Sequence, residues 1–306
     1  MADSRSQNPF VLFFRISRPL FLLGAVLIYA LGAGVADYLG TSIDWSVYLV
    51  GQLWVIALHL SGVFLYEYYT AVSEASNPYR DPLSGGDGKI GPIRTPVTML
   101  VTAAVSLTVV ATLSVWMLRE LRLSPVAWLV MVLACLGAVF YSVPPVRLAY
   151  SGYGELVIAI LYANLLPAFA FVLQEGDLHR LLAMSTFPLT ALMLALIMAF
   201  ELPDYAIDIK QDRRNLMVRL GWQRGMGLHN GMIFVAFLLI GLALTFGMPL
   251  FIGLPALLTL PLGLLQIWQM RRIAEGVKPN WMALKLTAVV LFATTTYLLT
   301  FAFWTR

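Results

Sequence analysis

Nine stretches of almost uninterrupted apolar residues alternate along this chain with short polar segments: about 20–39, 46–68, 96–118, 125–143, 155–173, 186–203, 229–247, 251–269 and 284–304. Wound as α-helices at about 1.5 Å per residue, runs of this length match the hydrocarbon thickness of a bilayer. Closed β-barrels need shorter segments of alternating polarity, so the pattern predicts a helical bundle in which each span satisfies its own backbone. The eighth run is the weakest, because Pro255 and Pro261 interrupt it. The first is full length and lacks a small-residue cleavage pattern, so it reads as a retained span.

The polar positions between the runs are unevenly distributed. With the N-terminus on the cytoplasmic side, fifteen of the 20 Lys and Arg residues fall on that side. Arg119, Arg122, Arg180 and Arg306 fall on the other, and Lys285 sits just inside the last run. This asymmetry predicts a multi-pass protein of the cytoplasmic membrane with an external C-terminus. A composition of 60% hydrophobic and 12% charged residues, with a mean hydropathy of +0.81, excludes an ordinary soluble domain. The pI near 9.2 reflects the same topological bias and gives no argument for nucleic-acid binding. A single cysteine, Cys135, excludes an intramolecular disulfide or a thiolate metal cage and reads as a packed apolar residue.

Acidic residues gather at the inner ends of two runs. LYEYYTAVSE carries Glu67, Thr70 and Glu74; FELPDYAIDIKQD carries Glu201, Asp204, Asp208 and Asp212. Spacings of three, four and seven place each set on one helical face, at the edge of a medium that penalises charge. Carboxylates in such groups, beside Lys and Arg and almost without His, select a hard oxygen-preferring cation such as Mg²⁺, which commonly shares its shell with substrate phosphates. The loop 75–95 contains Gly85–Gly86, three prolines and mixed charge, and reads as an ordered or gated segment. His59 and Asn164, inside spans, read as partners in helix-to-helix hydrogen bonds. Glu155 reads as a cap on a first helical turn. The chain contains no Ser–His–Asp set, P-loop or dinucleotide fingerprint.

Residues 138–160, AVFYSVPPVRLAYSGYGELVIAI, resemble the Y-S-x-P-P-x-R-L-K segment of the UbiA superfamily of intramembrane prenyltransferases, followed by that family's Gly-x-Gly-Glu helix start. Residues 203–221, PDYAIDIKQDRRNLMVRLG, are similar to its second aspartate motif, in the form found in menaquinone-type members. The RISRP segment at 15–19 and the position of both acidic loops extend the resemblance over nearly the whole chain. It implies one domain over residues 1–306: an all-α bundle of nine transmembrane helices around a central cavity, with a cytoplasmic cap formed by loops near 67–95 and 201–228. The first motif departs from the usual N-D-x-x-D-x-x-x-D, because Tyr66, Glu67, Thr70 and Glu74 occupy those places. Asp81 and Asp87 are candidate substitutes for the missing carboxylate.

The activity implied by the resemblance is Mg²⁺-dependent transfer of a prenyl group from a polyprenyl diphosphate to an aromatic or quinone-precursor acceptor. Glu67, Glu74, Asp204, Asp208 and Asp212 would hold the metal. Arg147, Lys210, Arg213, Arg80 and Lys89 would bind the diphosphate, with Asp204, Asp208, Glu67 and Arg147 central to catalysis. Tyr68, Tyr69, Tyr141, Tyr153 and Tyr162 are candidates for stabilising an allylic cation through their rings. The altered first motif leaves a second reading open, a relative without transferase activity that binds or helps export an isoprenoid lipid. An ion-coupled transporter is a third, but it does not explain two acidic clusters at the same membrane face.

Overall fold

The computed structural model describes residues 13–14, 16–74 and 96–305, with the backbone alone in 71–74. Each predicted apolar run forms a helix: α1 (Pro19–Tyr38), α2 (Trp45–Glu74), α3 (Pro96–Glu120), α4 (Pro125–Phe140), α5 (Gly154–Glu175), α6 (Arg180–Lys210), α7 (Trp222–Thr245), α8 (Leu250–Ala274) and α9 (Trp281–Trp304). Eight are long and apolar enough to cross a membrane; α4, with 16 residues, is the short one. The protein is an all-helical, multi-pass membrane protein, and no strand occurs among the described residues.

Local chemistry explains the boundaries. Pro19 and Pro125 occupy the first helical position, where a missing N–H costs nothing. Ser124 and Asn280 cap α4 and α9 by accepting from Ala127 N at 3.1 Å and Ala283 N at 3.0 Å. Proline also causes the irregularities. Helix α8 breaks between Leu257 and Leu260, just before Pro261, into Leu250–Leu257 and Leu260–Ala274. Helix α5 contains a π-helical turn at Leu161–Leu165, which ends two residues before Pro167.

Lipid tails are as apolar as leucine, so close packing and interhelical hydrogen bonds must hold the bundle together. Helix α1 crosses α5 at Gly32, where any Cβ would run into the Pro167 carbonyl. Trp304 Nε1 donates to Ala30 O at 2.9 Å and ties α9 to α1, while Trp54 Nε1 donates to Ser114 Oγ at 2.8 Å and ties α2 to α3. Asn164 bridges α5 to Thr186 and Thr190 of α6, the helix-to-helix role expected of it. Cys135 is a free thiol packed at the edge of the main core. Helices α1, α2, α5 and α6 thereby enclose a chamber that opens at the end where both acidic clusters lie.

Candidate active site

The chamber has a volume of about 170 Å³ and two unlike ends. Deep in the bundle its wall is carbon: Phe21, Val55, Leu58, Leu166, Ile197 and others, interrupted by His59 and Tyr162. At the inner end the wall is charged, with Glu201, Asp204 and Asp208 from α6 and its extension facing Arg18 and Arg213. A 3₁₀ turn, Leu202–Asp204, with Pro203 near its start, tightens the end of α6 before the helix resumes at Tyr205–Lys210.

Tyr66 stands at the centre of this end. The Arg18 guanidinium lies 4.8 Å from the centre of its ring and that of Arg213 5.6 Å, and Arg213 Nη2 donates to its hydroxyl at 2.7 Å. Tyr141 stacks against it at 5.9 Å. The two arginines are shared with carboxylates on opposite sides. Arg18 reaches Glu67 at 3.4 Å, and Arg213 reaches Asp208 at 3.6 Å. Asn215 Nδ2 donates to the other Asp208 oxygen at 2.7 Å, while its own Oδ1 caps the short helix Leu216–Leu220.

Glu155 has a more specific role than capping its own helix. Its Oε1 accepts from Leu216 N at 2.7 Å, which pins the Leu216–Leu220 helix to the start of α5. Its carboxyl also lies beside that of Glu201. Oε2 of each is buried without a donor from any other group, and two adjacent buried carboxyls call for a shared proton or a cation.

The structure thus brings Asp204, Asp208 and Arg213 to the chamber, with Glu67 behind Arg18. Thr70 is buried and its hydroxyl donates to Tyr66 O of its own helix at 2.6 Å. Asp212 lies on the exposed surface at φ 51°, paired with Arg214 at 3.1 Å, and Lys210 is also exposed. Neither lines the chamber. Arg147 sits beside it, stacked on Tyr150 at 4.5 Å and donating to Tyr69 O at 3.3 Å. Among the tyrosines, Tyr141 and Tyr162 line the chamber. Tyr68 and Tyr69 pack against each other and a separate small core, and Tyr153 is exposed beside Arg219. The Glu74 side chain, Arg80, Asp81, Asp87 and Lys89 lie outside the described residues. Sequence reasoning passed over Arg18 and the centrality of Tyr66 and read Glu155 only as a cap; a charge at the very start of an apolar run was the available signal for Arg18.

A model of the UbiA prenyltransferase family matches residues 86–289, two thirds of the chain. The chain belongs to this family. It is 28% identical over 236 residues to the 1,4-dihydroxy-2-naphthoate octaprenyltransferase of Mycobacterium tuberculosis, covering 73% of this chain and 74% of that protein. The fold matches a UbiA homologue from Archaeoglobus fulgidus, in a structure bound to DMAPP and Mg²⁺, with a TM-score of 0.66 at 15% identity over 94% of this chain and 98% of that one. A UbiA homologue from Aeropyrum pernix K1 matches with a TM-score of 0.65 at 12% identity, over 90% and 96% of the two chains. Membership in this family makes the protein a prenyltransferase.

Proposed function

We propose that the protein transfers a prenyl group from a polyprenyl diphosphate to a hydroxylated, bicyclic aromatic quinone precursor at the inner end of this chamber, with that end facing the cytoplasm. The observation that carries this reading is the division of one chamber into a carbon-lined depth and a mouth bearing three carboxylates and two guanidiniums. The naphthoate-prenylating relative supports the acceptor class. The departing diphosphate needs cations, and Arg18 and Arg213 supply charge-assisted hydrogen-bond donors to its oxygens. The cation left on the prenyl carbon needs protection from water, and the apolar wall with the faces of Tyr66 and Tyr141 provides it, each ring worth about 0.5–2 kcal/mol.

A divalent cation fits this mouth. The donors are all oxygen, and the Glu155–Glu201 pair holds buried carboxyl oxygens that lack donors from any other group. Among the described residues no three acids are gathered closely enough to form a complete cage, in keeping with an ion that retains water and shares phosphate oxygens. Asp204 and Asp208 are the residues that would hold Mg²⁺; when bound it would offset the charge of the diphosphate leaving group. Glu67 instead holds Arg18 in position over Tyr66.

A second groove supports a long prenyl chain. About 200 Å³ in volume, it is lined by Leu20, Leu27, Met193, Val289 and Phe292 and shares Phe21 and Tyr162 with the chamber. An isoprenoid tail longer than the chamber fits along that apolar path.

The test is transfer in proteoliposomes containing GPP or a longer prenyl diphosphate and 1,4-dihydroxy-2-naphthoate, with Mg²⁺ or EDTA. Prenylated product that disappears with EDTA is expected. The engagement of Glu67 with Arg18 and of Thr70 with its own helix favours one other outcome, Mg²⁺-independent binding of isoprenoid lipid without transfer to any aromatic acceptor. That result would replace the transferase reading with the lipid-carrier one.

A further inference from the structure

His59 and Tyr162 interrupt the carbon wall of the chamber and are hydrogen-bonded to each other, through His59 Nδ1 and the Tyr162 hydroxyl. His59 Nε2 lies 2.9 Å from Ser17 O. That carbonyl is available because Arg18, at φ 50°, turns the chain before the first helical bonds, which run from Phe21 N and Leu22 N to Arg18 O instead of to Ser17 O. A carbonyl can only accept, so Nε2 carries hydrogen, and Nδ1 of the neutral ring is a bare acceptor. Tyr162 therefore donates to Nδ1, leaving its oxygen lone pairs available to the chamber.

A bond that merely joined helices would sit in a seam, as Asn164 does two residues further on, between α5 and α6. Both members of the His59–Tyr162 pair line the chamber instead, and Tyr162 is held there by the π-helical turn of α5. His59 lies two helical turns, about 12 Å, deeper along α2 than Glu67. That separation leaves room for an aromatic ring between the charged mouth and the pair.

We infer that Tyr162 and His59 take the hydroxyl proton of the aromatic acceptor as the new carbon–carbon bond forms, a role that rests on the transferase reading above. The allylic C–O bond breaks, its electron pair leaving with the diphosphate, and a ring π pair of the acceptor forms the bond to the prenyl carbon. The acceptor hydroxyl passes its proton to Tyr162 Oη as the Tyr162 proton moves to His59 Nδ1. The resulting imidazolium keeps its Nε2–H on Ser17 O, and the acceptor is left as a neutral ketone. The attacked carbon then sheds its hydrogen as a proton, and the proton held by His59 returns through Tyr162 to the oxygen. One proton is released per turnover, and the pair is restored. Orientation of a base by a fixed third group is the logic by which other side-chain relays set a tautomer.

The experiment measures two products in parallel, prenylated aromatic and released diphosphate, from GPP with Mg²⁺ in proteoliposomes. Parent, Tyr162→Phe, His59→Gln and the double variant are compared, with 1,4-dihydroxy-2-naphthoate or its 1,4-dimethoxy analogue as acceptor. Transfer is expected to fall about a hundredfold in each single variant and no further in the double. Diphosphate release should fall no more than about threefold, with geraniol replacing the aromatic product. The parent should prenylate the dimethoxy analogue at least about a hundredfold more slowly than the dihydroxy compound, and this arm decides the matter even if a variant is not recovered folded. Equal loss of transfer and diphosphate release, unchanged transfer, or equal use of the two acceptors would overturn the proton-accepting role alone. A parent that neither releases diphosphate nor forms product would overturn the transferase reading and this inference with it.

Discussion

Helices α2 and α6 bring related acidic segments to the same mouth and use them differently. On α6 the acids face the chamber: Glu201, Asp204 and Asp208 line it, and Asp208 is steadied by Arg213 and Asn215. On α2 the acid faces a neighbour, because Glu67 is buried against Arg18, Thr70 donates to the Tyr66 carbonyl, and the side chain that this segment presents to the chamber is the Tyr66 ring. Two segments of similar charge thus differ in whether their carboxylates line the chamber. In the proposed reading the α6 set would offer negative charge to a cation, while the α2 set positions an arginine beside an aromatic ring.

That difference predicts a ranking of substitutions. Asp208→Asn removes a carboxylate at the mouth and leaves Arg213 unbalanced, so prenyl transfer in proteoliposomes should fall at least about a hundredfold, roughly 2.7 kcal/mol in the barrier. Folding should persist, because Asn keeps the shape and can still meet Asn215; size-exclusion behaviour and thermal unfolding of the purified variant check this. Tyr66→Phe retains the ring beside both guanidiniums and removes the hydroxyl that Arg213 holds at 2.7 Å. The loss of one charge-assisted bond, about 1.5 kcal/mol, predicts a roughly tenfold fall in kcat with little change in KM for the acceptor. A hundredfold loss would mean that the hydroxyl acts on the substrate itself.

The smallest effect on turnover is expected from Thr70→Asp, which restores the acid that the family motif carries at this place. Thr70 is buried and its side chain is directed to its own helix, so the new carboxylate would enter an enclosed site. Activity should stay at or below that of the parent while the unfolding temperature drops by several degrees, about 1–2 kcal/mol. Increased turnover at lower Mg²⁺ would show that α2 retains a metal site and would erase the contrast between the helices.

Much of the architecture was legible because a bilayer imposes a single length scale on apolar runs. All nine runs became helices, and even the doubtful eighth broke just ahead of the predicted proline. The α6 motif was legible because Asp204 and Asp208 share one helix and local spacing sets their face. The α2 site was less so, because its meaning depends on Arg18, 49 residues away, and on Arg213, 147 residues from Tyr66. Nothing local marks those pairings. Asp212 illustrates the converse: periodicity assigns it to the acidic face, but the helix ends at Lys210 and Asp212, at positive φ, lies on the surface. His59 was legible as a polar residue in a span, whereas the freed Ser17 carbonyl that fixes its tautomer appears only in three dimensions.

The central claim, that α6 holds the cation and α2 holds Arg18, is tested most directly by the Mg²⁺ dependence of transfer in the parent, Asp204→Asn and Glu67→Gln proteins. The half-saturating Mg²⁺ concentration should rise at least about tenfold in Asp204→Asn, some 1.4 kcal/mol of lost affinity. In Glu67→Gln it should stay within about twofold of the parent, while KM for the prenyl diphosphate shifts as Arg18 loses its partner. A large rise in the Mg²⁺ requirement for Glu67→Gln, with none for Asp204→Asn, would contradict the assignment.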